Sequence, residues 1–426
     1  MRTKLTRLFK DFLHSEQASG ILLILCTVFS LAVANSPFGQ RYLEFWHAEI
    51  GFEAGAVRLK YSLDHWVNDG LMAVFFLLIG LEIKRELRIG ELSSLKNASL
   101  PLIAAIGGML TPASLHLLLN FGTESQKGAG IPMATDIAFA LGALALLGSR
   151  VPLSLKIFLT ALAIVDDLGA ILVIALFYVG DFSLRYFGLS LAVFAGLLLL
   201  NRLGVRRVSL YLLMGVLLWY CMLKSGIHAT LAGVMLAFAI PFSNGEEGSP
   251  SYQVQDFLHK PVAFLVMPLF ALANTGIPLT GDWLQGLTSA NSLGIFAGLF
   301  LGKPLGIVLF SLLAVKLGVS RLPGDVDWRR IVGAGFLGGI GFTMSIFITL
   351  LAFRSPSALQ SSKITILLSS LMAGTVGYLI LSRSPASSVS LSEEYYERAA
   401  NDAPAYPSTA FSAERRETDR PADAGP

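Results

Sequence analysis

About twelve long apolar runs follow one another along this chain, separated by short polar loops. A hydrocarbon layer about 30 Å thick needs roughly 20 mostly apolar residues per crossing helix, with about 17–25 tolerated. By that measure the runs fall at residues 19–34, 63–83, 98–119, 131–147, 155–179, 187–200, 209–223, 226–241, 257–274, 293–315, 331–353 and 364–381, numbered segments 1 to 12 below. Only 14% of the 426 residues are charged, against about a quarter in soluble domains. An oversized core does not explain the deficit, because single cores stop growing near roughly 250–300 residues. Backbone polar groups in lipid must be satisfied within each element, so the class is an all-α polytopic membrane protein. The composition excludes a disordered chain and a disulfide scaffold. A net charge of +3, with the basic residues spread over short loops, excludes a nucleic-acid binder. Cys26 and Cys221 lie inside apolar runs and read as buried thiols.

Lys and Arg concentrate at the N-terminus (Arg2, Lys4, Arg7, Lys10) and in the even loops. Those loops hold Lys84, Arg85, Arg88 and Lys96; Arg202, Arg206 and Arg207; and Lys316, Arg321, Arg329 and Arg330. Both termini are therefore expected in the cytoplasm. Residues 1–18 read as a cytoplasmic amphipathic stretch with Leu5, Leu8, Phe9 and Leu13 on one side. Residues 19–383 read as the membrane domain, and 384–426 as a disordered, proline-containing cytoplasmic tail. Ala32-Val33-Ala34 resembles a signal-peptidase site, but the preceding stretch is long and carries Asp11 and Glu16, which favours the interfacial helix. In the first outer loop, alternation on both sides of Glu53-Ala54-Gly55 predicts a β-hairpin.

Two segments carry signs of interruption. Segment 4 is entered through Gly128, Gly130 and Pro132 and is broken early by Thr135-Asp136. Segment 11 holds Gly333, Gly335, Gly338, Gly339 and Gly341, followed by Thr343 and Ser345. Each glycine costs a helix interior about 1 kcal/mol relative to alanine. Close helix packing through small residues is the alternative explanation. However, segments 3–5 and 10–12 lie an odd number of positions apart, so they cross in opposite senses, and the interrupted members are central in both triplets. That is the pattern of an inverted repeat with discontinuous helices 4 and 11 meeting at the midplane. Gly333-Ala-Gly335-Phe-Leu-Gly338 also fits a dinucleotide fingerprint, but neither the preceding strand nor the acid that would hold a ribose is present.

A charge at mid-membrane costs between about 2.5 and 17 kcal/mol, so each one needs a reason. Asp166-Asp167 lies near the centre of segment 5. Adjacent helical residues point about 100° apart, so one carboxylate can line a watery cavity while the other turns to a neighbouring helix. Repulsion and desolvation both oppose double ionisation, and a carboxylate so placed takes up a proton or a metal cation. Lys303 sits in a glycine stripe (Gly294, Gly298, Gly302, Gly306) that lets another helix come close, and a segment 5 carboxylate is its natural partner. Asp136 and Lys303 have the signs needed to offset the N- and C-terminal ends of interrupted helices. Glu82, Lys84, Arg85 and Glu86 read more simply as a solvated cluster at the inner end of segment 2, and His228 as a hydrogen-bonded histidine near a helix end, although it can titrate near neutrality. Asp69, near the outer interface, reads as an anchor.

With these residues in place, the chain resembles bacterial sodium/proton antiporters of the NhaA family. The resemblance is carried by Gly80-Leu-Glu-Ile-Lys-Arg-Glu-Leu87, Ala134-Thr-Asp-Ile-Ala-Phe-Ala-Leu141 and Leu162-Ala-Ile-Val-Asp-Asp-Leu-Gly-Ala170. It continues through Lys224-Ser-Gly-Ile-His-Ala-Thr-Leu-Ala-Gly233, Gly302-Lys-Pro-Leu-Gly306 and Gly339-Ile-Gly-Phe-Thr-Met-Ser345. The resemblance implies electrogenic expulsion of Na⁺ or Li⁺ in exchange for protons across the bacterial inner membrane, without a cofactor. It implies Asp167 as the main cation ligand, assisted by Asp166 and Thr135; Lys303 as the partner of Asp166; and Asp136 with Lys303 balancing the helix ends. It further implies that Glu82, Arg85, Glu86 and His228 take part in activation at alkaline pH. The hairpin residues Ile50, Phe52, Val57 and Leu59 would join two protomers. Two departures stand out: the tail is longer than the family pattern needs, and Tyr252–Phe257 is poor in charge, which leaves the pH set point open. A passive cation channel would want a ring of carbonyls or acids. An intramembrane aspartyl protease would want aspartates facing from different helices, for which Asp136 with Asp166 are the candidates.

Overall fold

The computed structural model describes residues 2–54, 57–243, 248–279 and 283–384. Nine helices among the described residues are long and apolar enough to cross a membrane: Leu63–Ile89, Ala98–Asn120, Glu124–Leu146, Leu153–Phe177, Leu184–Arg202, Val208–Ser225, Pro250–Asn274, Ala290–Lys316 and Pro356–Ser382. They are segments 2 to 7, 9, 10 and 12. Two further candidates are bent pairs. Ala18–Ala34 is segment 1, followed by the short helix Gly39–His47 turned away by 114°; Trp328–Gly338 and Phe342–Ala352 are the halves of segment 11, bent by 44°. The chain is thus a multi-pass, all-α membrane protein. Segment 1 continues a helix that begins at Arg2, while the side chains of Leu5, Leu8, Phe9 and Leu13 and the tail from residue 385 lie outside the described set.

Segment 8 differs from expectation, being a helix of only nine residues, Leu231–Ala239. The cause lies at its two ends. Gly226 closes segment 7 in the left-handed region at φ +82°, where any side chain would collide with the carbonyl of Asp181. The chain then turns through His228 and Thr230 before helix resumes. At the far end Pro241 keeps Ile240 extended, at ψ 135°, and the helix stops.

Both predicted interruptions are present. Segment 4 is a 3₁₀ helix over Glu124–Met133, extended at Ala134 and Asp136, and α-helical over Ile137–Leu146. The first half of segment 4 packs on the second half of segment 11, and its second half touches the first half of segment 11. The two broken helices therefore run antiparallel, as an inverted repeat requires. Their interruptions are joined directly, the Asp136 amide donating to the Ile340 carbonyl at 2.7 Å. In segments 4 and 5, 67% of the most apolar window is enclosed by protein, against 11% in segment 6, so the core lies at this crossing.

The glycine stripe of segment 10 packs as its sequence predicts, against segment 3 and Pro132. The predicted hairpin pairs Glu49–Ala54 with Val57–Ser62, antiparallel, with Ile50 opposite Tyr61 and Phe52 opposite Leu59. A Trp66 indole N–H bonds the Ile50 carbonyl at 2.9 Å and ties the hairpin to segment 2.

A Cβ on Gly306 would lie 2.1 Å from the Gly107 carbonyl oxygen, a backbone atom that cannot swing away. Gly306→Val is expected to lower stability by about 3 kcal/mol, the upper part of the overpacking range. Gly188→Val, where nothing lies within 4 Å, is the neutral control. Thermal midpoints of the two variants in detergent give the comparison.

Candidate functional site

Four helix ends converge where segments 4 and 11 cross. Two are N-terminal, with unpaired amides and partial positive charge; two are C-terminal, with unpaired carbonyls and partial negative charge. Asp136 serves both N-termini. Its Oδ1 accepts from the Phe139 amide at 3.2 Å, capping the second half of segment 4, and its Oδ2 accepts from the Thr343 amide at 3.0 Å and from the Thr343 hydroxyl. Lys303 and Thr135 serve the C-termini. The Lys303 ammonium donates to the Met133 carbonyl, and the Thr135 hydroxyl lies 2.9 Å from the Gly338 carbonyl. Ser370 of segment 12 receives the Gly341 and Phe342 amides, both at 3.2 Å.

The acid pair sits beside this crossing. Lys303 Nζ lies 2.8 Å from Asp166 Oδ2, with both side chains fully enclosed. The Thr135 hydroxyl is 2.7 Å from the same oxygen, its one hydrogen shared between that carboxylate and the Gly338 carbonyl. Asp167 points elsewhere, into a cavity of about 80 Å³ that also reaches Thr135, Asp136, Thr343, Glu82 and His259, space for several waters. The 100° offset between neighbours on one helix has separated the two carboxylates as their sequence predicts. Asp166 Oδ1 and Asp167 Oδ1 have no hydrogen-bond partner among the described residues. A buried carboxylate oxygen without a donor calls for a proton or a cation. Two carboxylates with a threonine hydroxyl form a hard-oxygen set of the kind alkali and alkaline-earth cations favour.

The remaining predicted residues are scattered. Glu82 is half-buried at the cavity wall, Arg85 is exposed, and Glu86 accepts the Glu91 amide at 3.0 Å. His228 lies at the other end of the bundle, half-buried in the turn before segment 8 and near Asp69, and is not brought near that group. Lys84 departs from the solvated cluster: it is 6% exposed and points into the protein. Ile50 and Phe52 are exposed on the hairpin at 53% and 59%, Leu59 is half-buried, and the side chain of Val57 lies outside the described set.

Sequence reasoning missed His259. With segment 9 begun at 257, His259 stands only two residues from its start, but the helix begins at Pro250, with the Ser249 hydroxyl accepting from the Tyr252 amide at 3.3 Å, and His259 falls well inside. The signal was the Ser-Pro start of a helix. Thr343 was noted only as a neighbour of glycines; its bond to Asp136 crosses between segments and leaves no local trace.

Interrupted helices crossed over a buried acid pair with an amine counter-ion define a membrane transport protein of the inverted-repeat kind. The model of the family described as Na+/H+ antiporter 1 matches residues 10–381. The chain is 60% identical over 386 residues to the Na(+)/H(+) antiporter NhaA of Dechloromonas aromatica, covering 89% of this chain and 97% of that protein. It is 58% identical over 378 residues to the same-named protein of Flavobacterium psychrophilum, covering 89% and 96%. With that of Escherichia coli O1:K1 it shares 50% over 371 residues, covering 86% and 96%. The chain belongs to the Na+/H+ antiporter 1 family. That family is itself one of those from which the crossed-helix pattern was drawn, so the fold and the kinship are linked observations.

Removing Lys303 strands the Asp166 carboxylate without its counter-ion, and breaking a buried pair costs about 3–5 kcal/mol. Lys303→Ala is expected to lose stability on that scale in a thermal melt, and Asp166→Asn/Lys303→Met to recover most of it. An unchanged melt for Lys303→Ala counts against the pair.

Proposed function

We propose that this protein is an electrogenic antiporter that expels Na⁺ or Li⁺ in exchange for protons, by alternating access, in the bacterial inner membrane. One observation carries the site assignment: Asp167 faces a cavity with an unpartnered oxygen, one residue from the Asp166–Lys303 pair. In the inward-open state the cation displaces a proton from Asp167 and replaces the Lys303 ammonium on Asp166, the released ammonium giving up the second proton, with Thr135 as a third oxygen. The segments carrying the site then shift against the cavity wall, the cation leaves on the far side, and one proton each returns to Asp167 and Lys303, which restores the Asp166–Lys303 pair. Two protons against one cation move net charge, which makes exchange electrogenic. Competition for the same oxygens couples the fluxes, and no cofactor takes part.

The cavity favours an inward-open state. Its wall takes Ser19 from the start of segment 1, Glu82 from the end of segment 2 and His259 from the early part of segment 9, and all three lie toward the side that the basic loops assign to the cytoplasm. The distribution of basic residues supports a cytoplasmic position for both termini. Glu82 at that mouth, and Arg85 and Glu86 farther along the same helix, are the proposed contributors to alkaline activation, with His228 acting separately from the outer side. The apolar hairpin residues Ile50 and Phe52 are the proposed contact with a second protomer, together with Val57 and Leu59.

A proteolytic dyad finds little support. Asp136 has both oxygens engaged by amides and a hydroxyl, and Asp166 is held by Lys303, so neither is offered to a peptide bond.

Asp167→Asn is expected to abolish Na⁺-dependent proton movement in proteoliposomes. In the unaltered protein, the apparent KM for Na⁺ should rise about tenfold per unit fall in pH where one proton competes for the site. Normal exchange by Asp167→Asn would overturn the assignment.

A further inference from the structure

The lysine that failed to behave as a surface charge has a specific setting. Lys84 Nζ donates to the carbonyls of Ala237 at 3.1 Å, Phe238 at 2.9 Å and Ile240. An ammonium has three hydrogens, and all three are used. The acceptors belong to the C-terminal turn of the nine-residue segment 8. A helix leaves its last four carbonyls unpaired, and all four are accounted for here. Leu236 receives the Ile240 amide at 3.0 Å, Ala237 and Phe238 receive Lys84, and Ala239 receives Asn201 Nδ2 at 2.7 Å. Positive charge at a helix C-terminus is favourable in itself. Segment 8 is too short to carry these carbonyls out to water, so the cap must come from a neighbour.

The same face of segment 2 carries Gly80, one turn before Lys84. A Cβ there would lie 2.7 Å from that of Ala237, and one on Gly233 would lie 2.1 Å from the Ala73 carbonyl. The two segments are therefore in close contact along their length and locked at the inner end by the ammonium. Glu82, two residues before Lys84, points about 200° away around the helix, into the cavity that holds Asp167. What fixes one face of this helix end fixes the other.

We propose that Lys84 is a positioning residue for ion entry: by capping segment 8 it holds the inner end of segment 2 in the rotation that presents Glu82 at the mouth of the cavity. The inference rests on the antiport reading of that cavity. Lys84 touches neither ion nor carboxylate and acts through Glu82.

Lys84→Met keeps the apolar stem and removes the three donors. In proteoliposomes it is expected to raise the apparent KM for Na⁺ by roughly fivefold or more at an unchanged maximal rate, the signature of lost binding without lost turnover. Glu82→Gln should raise KM similarly, and the double variant should be no worse than the worse single, because residues acting in series are not additive. Asn201→Ala removes the other side-chain donor to the same helix end without touching segment 2, and should leave KM unchanged. A Lys84→Met protein with normal KM, an additive double variant, or an equal KM shift in Asn201→Ala would each overturn the proposal. Where Lys84→Met is not recovered folded, Lys84→Gln is measured in its place against the same outcomes. Absence of exchange in the unaltered protein would instead remove the antiport reading itself.

Discussion

A fully enclosed ammonium in the middle of a membrane has to be matched, and the contact of Lys303 with Asp166 does this at 2.8 Å. Much of the site follows from it. Because Asp166 is held by an amine, it is withdrawn from the cavity, and the helix geometry turns its neighbour Asp167 the other way, into the cavity. The ammonium has a second duty, since it also meets the Met133 carbonyl at the end of the first half of segment 4. The cation that balances an acid thus also balances a helix end. Neither interaction would hold alone against the cost of burying the charge.

The crossing extends this economy. An antiparallel pair of broken helices brings like ends together: two N-termini on one side and two C-termini on the other. A single aspartate can cap both N-termini because it has two oxygens, and Asp136 uses one for each segment. The C-termini need donors, and Lys303 and Thr135 supply them. Thr135 also reaches Asp166, so a change in what Asp166 binds is felt directly at a helix end of segment 11. The Asp166 carboxylate and the break in segment 11 are therefore linked through one hydroxyl.

The sequence made the large features readable because membranes impose a simple rule: apolar runs cross, and charges inside them need partners. Most crossing segments followed from it, while the two interruptions followed from clustered glycines, the hairpin from alternation, and the divergence of two adjacent carboxylates from helix geometry; which of the two acids meets Lys303 came only with the family resemblance. What escaped depends on contacts between segments. Segment 8 was drawn too long because Gly226 ends a helix only through the conformation it adopts, while an apolar run looks the same in either case. Lys84 looks solvated in the sequence because its three acceptors are backbone carbonyls of another segment, and backbone atoms leave no mark in a sequence. His259 was passed over through a helix start drawn several residues late, although Ser249-Pro250 marked the true one.

The distribution of polar bonds bears on how access to Asp167 can alternate. The bonds that hold the crossing join segments 4, 5, 10, 11 and 12 to one another: Lys303 with Asp166 and Met133, Thr135 with Asp166 and Gly338, Asp136 with Thr343 and Ile340, Ser345 with Ile131, Ser370 with Gly341. The opposite wall of the cavity comes from segments 1, 2 and 9, through Phe75, Leu78, Ile79, Val262, Ala263 and Met267 beside Glu82 and His259. That wall has its own polar ties, among them Ser30 to Leu272 and Asn274 to Asn68, besides the Lys84 cage that holds segment 2 to segment 8. Where the two groups meet at the cavity much of the surface is apolar side chain, with Ser19, Glu82 and His259 the polar groups on the wall of segments 1, 2 and 9. Under the proposed alternating access, this division lets the crossing move as one unit with its polar bonds intact.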